Sequence, residues 1–524
     1  MKSFLIHHFL EQHAQATPEQ LACIYDNDVV TYGEMERQSN RVARLLRELG
    51  VRRGDRVAVL IENSSAYISA YYGILKCGGI TVAMYTTTTA KTLAYILNDC
   101  AVRVLVTQSK HLKLLEEIRD SLSKLHAIIL LDESGTGSLA SPNIASLPWP
   151  MSNSQHVAQQ PDGPLNLPMI DLNLASIIYT SGSTGGPRGA MLSHLNIVTN
   201  TRSIVSYLGL TSQDRIMVVL PFPYVYGKSL LNTHIAVGAT VIIDNRFLFP
   251  NVVLRTMQEK GATGFAGVPS TYAILLGKSA VRKMEFPGLR YLTQAGGAMA
   301  PTLIREVMEV FTGKKLFVMY GATEASARLS YLPPEDLPRK VGSIGKPIPN
   351  VELRLIKDDG EEAGRDEVGE IVARGANIMQ GYWNQPEETK AVLTEHGFHT
   401  GDLGRVDDEG FFYVVGRKRD MIKSAGNRVS AKEIEEIILE HPNILETAVI
   451  GVPDKFIGEA ICAYIVPKNS VPIPSEELIG YCKERLPEYK VPRSVIVSES
   501  LPKNASGKIM KEELRKGHCV NEFT

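Results

Sequence analysis

No apolar run in these 524 residues reaches the ~18 residues that would span a bilayer. The N-terminal segment 1–13 is too short and too polar for a secretory leader. Neither a membrane span nor an export signal is therefore expected. Cysteine is sparse: Cys23, Cys77, Cys100, Cys462, Cys482 and Cys519 are scattered, with no CxxC and no paired spacing. This argues against a disulfide framework and against a zinc site, and a reducing compartment, the cytoplasm, fits best. Neither sign of charge is in excess, since 56 Lys and Arg face 57 Asp and Glu, for a formal net charge of −1. Without surplus cations to release counterions, binding to nucleic acid is not expected. Repeats of solenoid length are absent as well.

What remains is an ordinary globular composition, 44% hydrophobic and 22% charged, on a chain too long for one compact core. Two or more domains are expected. Residues 32–49 carry Met35, Val42, Leu45 and Leu46 at helical spacing, and residues 56–61 form a short apolar run suited to a buried parallel strand. A second helix over 66–76 ends at Gly78-Gly79, and strands are predicted at 80–84, 102–107 and 127–131. The alternation indicates an α/β fold with βαβ-type sheets and helices on their faces. Residues 132–168, rich in Ser, Pro, Gly and Asn, read as a plain surface connection. Beyond Gly401 the texture changes to short strands (411–415, 447–452, 460–466) and charged helices (430–440, 475–486). The organisation is read as a large N-terminal domain, 1–416, and a small mobile α+β domain, 417–524, with a hinge near 417–420.

The most informative segment is Tyr179-Thr180-Ser181-Gly182-Ser183-Thr184-Gly185-Gly186-Pro187-Arg188-Gly189, entered from an apolar strand and expected to turn helical from Met191. Its glycines let backbone N–H groups approach an anion, its hydroxyls add donors, and Arg188 adds a fixed charge. In chemical terms it is a polyphosphate-binding loop. It is not a Walker A loop, because no Gly-Lys-Ser/Thr follows the glycines. On composition alone such a stretch is more often a flexible connector.

Together with the rest of the chain, this segment resembles the phosphate loop of the adenylate-forming (ANL) superfamily: acyl- and aryl-CoA synthetases, adenylation domains of nonribosomal peptide synthetases, and beetle luciferases. Tyr320-Gly321-Ala322-Thr323-Glu324 resembles the family's adenine and magnesium motif. Gly369-Glu370-Ile371 with Gly381-Tyr382-Trp383-Asn384 resembles its next signature, and Thr400-Gly401-Asp402-Leu403-Gly404 its ribose motif. Gly416-Arg417 through Lys423, Gly426 and Glu433-Ile434-Glu435 resembles the hinge, and Pro502-Lys503-Asn504 through Gly507-Lys508-Ile509 the C-terminal lysine loop. Six such motifs in the family's order are specific.

The resemblance implies an AMP-forming ligase that uses ATP and Mg²⁺ to turn a carboxylic acid into an acyl-adenylate. The acyl group then passes to coenzyme A, as in fatty-acid metabolism, or alternatively to the phosphopantetheine of an acyl-carrier protein. Thr180, Ser181, Gly182, Ser183, Thr184, Gly185 and Arg188 would hold the phosphates, with Arg188 standing where relatives carry Lys. Glu324, with Thr184, would hold Mg²⁺. Tyr320, Gly321, Thr323, Gly297 and Ala298 would line the nucleotide, with Tyr320 on the adenine, Asp402 on the ribose hydroxyls, and Arg417 reaching the ribose or the phosphates. Lys508 would bring the incoming carboxylate to the α-phosphate and stabilise the pentacoordinate centre. Rotation about Arg419 would then present Lys423 to Asn427, Gly426 included, to the thiol.

The acyl pocket is expected between 221–229, 266–268 and 294–298. Val225 stands where amino-acid-activating relatives place an Asp, so an α-amino acid is not the expected substrate. Tyr224 takes the place of a His common in CoA ligases. Gly267, Gly296 and Gly297 read equally as open space for a flat ring or alkyl chain, or as turn residues. For Arg328 a salt bridge is the expectation, ahead of a role on a second substrate carboxylate. The residues do not decide between monomer and homodimer.

Overall fold

The computed structural model describes residues 4–132, 148–181, 187–424, 426–454, 456–468, 473–503, 507 and 509–521. The first long helix, Tyr32–Glu48, starts where the Thr31 hydroxyl accepts the Glu34 N–H, and it buries Met35, Val42, Leu45 and Leu46, the stripe its sequence spacing predicts. Helix Ser65–Lys76 is capped in the same way by Ser64 and is buried along most of its length. Gly73 lets it lie against Val42, since a Cβ there would stand 2.7 Å from the Val42 side chain.

These helices separate two sheets with parallel cores. One runs in the order Met151–Asn153, Ala127–Leu130, Val104–Thr107, Arg56–Leu60, Ile80–Ala83, Leu174–Ser181, Pro187–Ser193, parallel except for the last pair. The other, nine-stranded, places six of its strands, Lys315–Tyr320, Tyr291–Gln294, Gly264–Gly267, Arg215–Val218, Thr240–Ile243 and Leu21–Tyr25, side by side and parallel. One apolar cluster joins Val57, Val59 and Val104 of the first sheet to Val218, Val241 and Ile243 of the second, through those helices and Leu231 and Ile235 of helix Val225–Ala236. Short, fully buried strands with no alternation are what parallel sheets covered on both faces require.

A third, antiparallel sheet is formed by Val351–Ile356, Gly369–Gly375, Gly397–Val406, Leu393–Thr394 and Phe412–Arg417. A fourth contains Met421–Ser424, Asn427–Ser430, Ile444–Asp454, Gly458–Pro467 and Ser494–Val497, backed by helices Ala431–Leu439 and Ser475–Lys483. The architecture is thus mixed α/β, a large N-terminal domain followed by a smaller C-terminal one.

The structure corrects the sequence reading at three points. After the phosphate loop the chain forms strand Pro187–Ser193, and the helix, His194–Leu208, begins only after Ser193 and Asn196 close a capping box. Gly189, Ala190, Leu192 and Ser193 are buried and only Met191 between them is more open, so the strand shows no period of two that its sequence could have revealed. Within 132–168, the described part is not plain loop: Met151–Asn153 adds an edge strand and Ser154–Ala158 a short helix. The expected strand at 411–415 is Phe412–Arg417 and belongs to the third sheet, so the change of sheet falls after Arg417 rather than at Gly401.

His234, in helix Val225–Ala236, is buried between the Leu230 carbonyl and the Tyr291 hydroxyl, each 2.8 Å from a ring nitrogen. Burial lowers its pKa from 6.5 to about 4. A depressed folded-state value means that the unfolded chain binds the proton first as pH falls. Stability present above pH 6.5 is therefore lost between 6.5 and about 4, at up to about 1.4 kcal/mol per pH unit. Denaturant titrations of a His234→Gln variant should show a shallower stability slope across that window. An unchanged slope would contradict this role.

Candidate active site

Parallel pairing aligns strand ends, and in the nine-stranded sheet the register Gly267↔Gln294 and Gln294↔Val318 brings three carboxyl ends together. The segments that leave them, Val268–Pro269, Ala295–Gly297 and Tyr320–Gly321, therefore share one edge, where open α/β sheets bind ligands. Tyr224 and Val225 join them at the start of helix Val225–Ala236, which follows the neighbouring strand Arg215–Val218. Glycine is required here by close approach. A Cβ on Gly321 would stand 2.0 Å from the Ala327 carbonyl oxygen, and one on Gly296, whose φ is +88°, would stand 2.3 Å from the Tyr224 hydroxyl. The open-space reading of the pocket glycines is thus corrected for two of them. Gly296 admits Tyr224, and a Cβ on Gly267 would stand 2.9 Å from the Thr271 side chain. Only Gly297 faces room, with Pro269 nearest at 3.5 Å. Val225 is buried.

The phosphate loop is the turn of an antiparallel hairpin, with Thr180 opposite Arg188. Gly182, Ser183, Thr184 and Gly185 lie outside the described residues. On its outer side the hairpin is zipped to the Gly381–Asn384 signature: Met191 N–H donates to the Gly381 carbonyl at 2.9 Å and Trp383 N–H to that of Gly189 at 2.8 Å. Trp383 Nε1 and Asn384 Nδ2 both donate to the Asp99 carbonyl at 3.0 Å, while the Tyr179 hydroxyl donates to the Asp99 carboxylate. This pairing puts Tyr382 between two charges. Its hydroxyl donates to Glu324 Oε1 at 2.8 Å, and the Arg188 guanidinium stands 5.6 Å from its ring centre. Burial and the Glu324 charge hold the Tyr382 phenol well above its usual range.

A second group of the same kind lies on the third sheet. The Tyr320 hydroxyl donates to Asp402 Oδ2 at 2.6 Å, and Arg417 Nε meets Asp402 Oδ1 at 3.0 Å. That carboxylate raises the Arg417 guanidinium above its usual range. Strands Gly397–Val406 and Phe412–Arg417 set the geometry by pairing Asp402 with Arg417. Thr323 opens the one-turn helix Thr323–Ala325 that carries Glu324.

From the C-terminal domain, Gly507 reaches this edge: a Cβ there would stand 3.4 Å from Ser270 Oγ and 3.6 Å from Val268 Cγ2. Lys508 lies outside the described residues. Arg419 is exposed in the one-turn helix Lys418–Asp420 beside Asp420, and its neighbour Lys418 pairs with Asp358 at 2.9 Å. Lys423 is in hairpin strand Met421–Ser424, and Gly426, with φ +80°, is in its turn. Ala298 follows Gly297 at the pocket edge.

The carboxylate of Glu324 is a hard oxygen donor suited to Mg²⁺, and among the described residues it is held by one hydrogen bond on one oxygen. The one group of three potential metal ligands found among the described residues is elsewhere: His7, His8 and Glu11, beside a cavity of about 220 Å³. The Lys76 ammonium, 2.8 Å from Glu11, already occupies that carboxylate.

Sequence reasoning quoted Tyr382 in a motif without giving it a role, although a conspicuous aromatic beside the loop's partner segment was the available signal. Asp99, which anchors the hairpin, carried none. The salt bridge expected for Arg328 is not formed among the described residues.

The AMP-binding enzyme family profile matches residues 10–383, and that of the AMP-binding enzyme C-terminal domain matches 433–508. The chain belongs to this family, in the AMP-forming CoA ligase branch of the ANL superfamily, and is an acid–thiol ligase. It is 31% identical to a long-chain-fatty-acid–CoA ligase of Bacillus subtilis over 98% of this chain and 94% of the relative. It is 32% identical to a feruloyl-CoA synthase of Amycolatopsis sp over 96% of this chain and 97% of the relative. Among solved structures, an anthranilate CoA ligase in complex with anthranoyl-AMP superposes with a TM-score of 0.89 at 28% identity, over 99% of this chain and 98% of the other. The o-succinylbenzoate CoA synthetase of Bacillus subtilis with ATP and magnesium ion gives 0.83 at 30% identity, over 97% and 98%. ATP with Mg²⁺, a carboxylic acid and CoA are the reactants of this class. No helix among the described residues is long and apolar enough to cross a membrane.

Replacing Asp402 by Ala leaves the Tyr320 hydroxyl and the Arg417 guanidinium without their acceptor. Because Arg417 keeps contact with water, the expected loss is about 1–3 kcal/mol of stability. Asp402→Asn should lose less, and calorimetric melts of the two variants should rank them in that order.

Proposed function

We propose that the chain joins a carboxylic acid without an α-amino group to coenzyme A in two half-reactions. First, a carboxylate oxygen attacks the α-phosphorus of ATP, the bond to the β-phosphate oxygen breaks, and pyrophosphate leaves. Second, the CoA thiolate attacks the acyl carbon, and AMP departs with the carboxylate oxygen. The observation that carries this reading is convergence. Tyr320 and Glu324, four residues apart, carry the Tyr320–Asp402–Arg417 and the Arg188–Tyr382–Glu324 groups on one connection, and Gly507 of the lysine loop approaches Val268 and Ser270 beyond the end of a strand in the same sheet.

In this reading Arg188 and Thr180, with Ser181, Ser183 and Thr184, bind the β- and γ-phosphates, and the guanidinium offers a fork where relatives offer a point charge. Glu324 and Thr184 hold Mg²⁺, which neutralises phosphate charge when bound. Tyr320 and Gly321, with Thr323, Gly297 and Ala298, wall the base and α-phosphate, and Asp402 accepts from the ribose hydroxyls. Lys508 bridges the two anions. A large domain, 1–416, and a small one, 417–524, exchange faces about Arg419, which brings Lys423 and Gly426 to the pantetheine arm. Val225 supports a non-amino acid, because an apolar side chain cannot pair an α-ammonium. The relatives named above are CoA ligases and synthases, which supports CoA over a carrier protein as acceptor.

Lys508→Ala should cut pyrophosphate release by about 10²- to 10³-fold while ATP binding by calorimetry stays within a few-fold. Supplied with ready-made acyl-adenylate, the same variant should still make thioester, and unchanged pyrophosphate release would contradict the mechanism. Arg419→Pro, which fixes φ at the hinge, should do the reverse, slowing thioester formation about tenfold or more with the adenylate step intact.

A further inference from the structure

Two basic side chains sit deep beside the start of helix Val225–Ala236, and among the described residues neither has a carboxylate partner. Lys228 is 4% exposed, donates to the Tyr67 hydroxyl at 2.6 Å and faces the Tyr71 ring at 3.9 Å. Burial lowers its pKa well below the usual value, so the cost of burying this amine shows as a weakened hold on its proton. Arg328 has no such escape, because a guanidinium stays charged in any protein interior. Its residue is 2% exposed. Its acceptors are the Ala327 carbonyl at 3.0 Å and the Met319 thioether at 3.4 Å, and the latter is a weak one. Its remaining surroundings are tyrosines: the guanidinium carbon is 4.1 Å from the centre of the Tyr226 ring, and Tyr207 and Tyr226 turn hydroxyls to it.

Lys76, as deeply buried, is paired in the ordinary way, with both Glu11 and Glu36. The Arg328 backbone is fixed as well, since its carbonyl accepts from Asn200 and Asn377, each at 2.9 Å. It sits four residues after Glu324 on the same connection. Tyr226 in turn stands 6.2 Å, ring to ring, from Tyr224, the residue seated over Gly296. A fixed, permanent, uncompensated charge thus lies behind the tyrosine wall of the acyl pocket. A buried charge of this kind is costly to the fold until an anion meets it.

We propose that Arg328 is the counter-charge for a second anionic group on the acyl substrate, so that the acid this enzyme activates is a dicarboxylate. This rests on the ligase reading above. The reacting carboxylate goes to the α-phosphate, and the distal one, entering past Tyr224, forms a forked ion pair with the guanidinium. Arg328 is a specificity-determining residue, with no part in bond making.

The test compares the wild-type enzyme on a graded series of α,ω-dicarboxylic acids, the monomethyl ester of each, and monocarboxylic acids of matched length, with AMP and acyl-CoA both measured. The best dicarboxylate should exceed its ester and the matched monocarboxylate in kcat/KM by about 10²-fold or more, because without it the buried charge stays unpaired. Arg328→Leu should lose that preference, falling on the dicarboxylate and not on the monocarboxylate, and Arg328→Lys should keep part of it. Equal or better use of the ester or monocarboxylate by the wild type overturns the proposal, whether or not the Leu variant folds. So does an equal loss on both substrates in the Leu variant. Failure of the ligase reading looks different, since no acid of either kind then yields AMP, and that result overturns both.

Discussion

The alignment of parallel strand ends in the nine-stranded sheet is the constraint on which the site depends. Because Gly267, Gln294 and Val318 are neighbours in register, the three loops that follow emerge side by side, and they carry Val268, Gly296, Gly297, Tyr320 and Gly321 to one edge. The register is held by buried apolar strands and by helix Val225–Ala236, whose first turn delivers Tyr224, Val225 and Tyr226 to the same place. A slip of one residue in any of these strands would turn the loop residues away from one another. The glycines record the same crowding: Gly321 is needed where its connection folds back on the Ala327 carbonyl, and Gly296 where its loop meets Tyr224.

Upon this edge the charged groups follow one pattern twice. In each group a tyrosine hydroxyl donates to a carboxylate and an arginine attends: Tyr382 between Glu324 and Arg188, and Tyr320 on Asp402 with Arg417. The tyrosine orients the acid before any ligand arrives, so less reorganisation is left for binding. The hairpin that carries Arg188 is fixed from outside by Gly381–Asn384 and, through Trp383, Asn384 and Tyr179, by Asp99. Arg328 departs from this pattern in having tyrosines and, among the described residues, no acid.

Much of this was legible in the sequence, for physical reasons that differ by element. Helices Tyr32–Glu48 and Ser65–Lys76 announced themselves through an apolar stripe at helical spacing and through a Gly-Gly stop, signals that need no tertiary context. Strand Pro187–Ser193 did not, because its pairing partners are Leu174–Ser181 and the distant Tyr382, and a lone apolar Met191 fits helix as well as strand. At the site, glycine-rich and Thr-Gly-Asp motifs were visible because their chemistry is local. The role of Tyr382 was not visible, since it arises only when the hairpin carries residue 188 to within reach of residue 382. Whether a pocket glycine makes room or permits contact was undecidable without the facing residue, and for Gly296 that residue, Tyr224, is remote in sequence. The same holds for Arg328, whose want of an acid partner among the described residues is a property of everything around it.

The central claim is that a carboxylate oxygen of the acid becomes bonded to the α-phosphorus of ATP and leaves with AMP. Supplying the acid with ¹⁸O in the reacting carboxylate and analysing the nucleotide by mass spectrometry after turnover with CoA tests it most directly. The account predicts AMP carrying one ¹⁸O and unlabelled pyrophosphate. Unlabelled AMP, or ¹⁸O in inorganic phosphate alongside ADP, would contradict it.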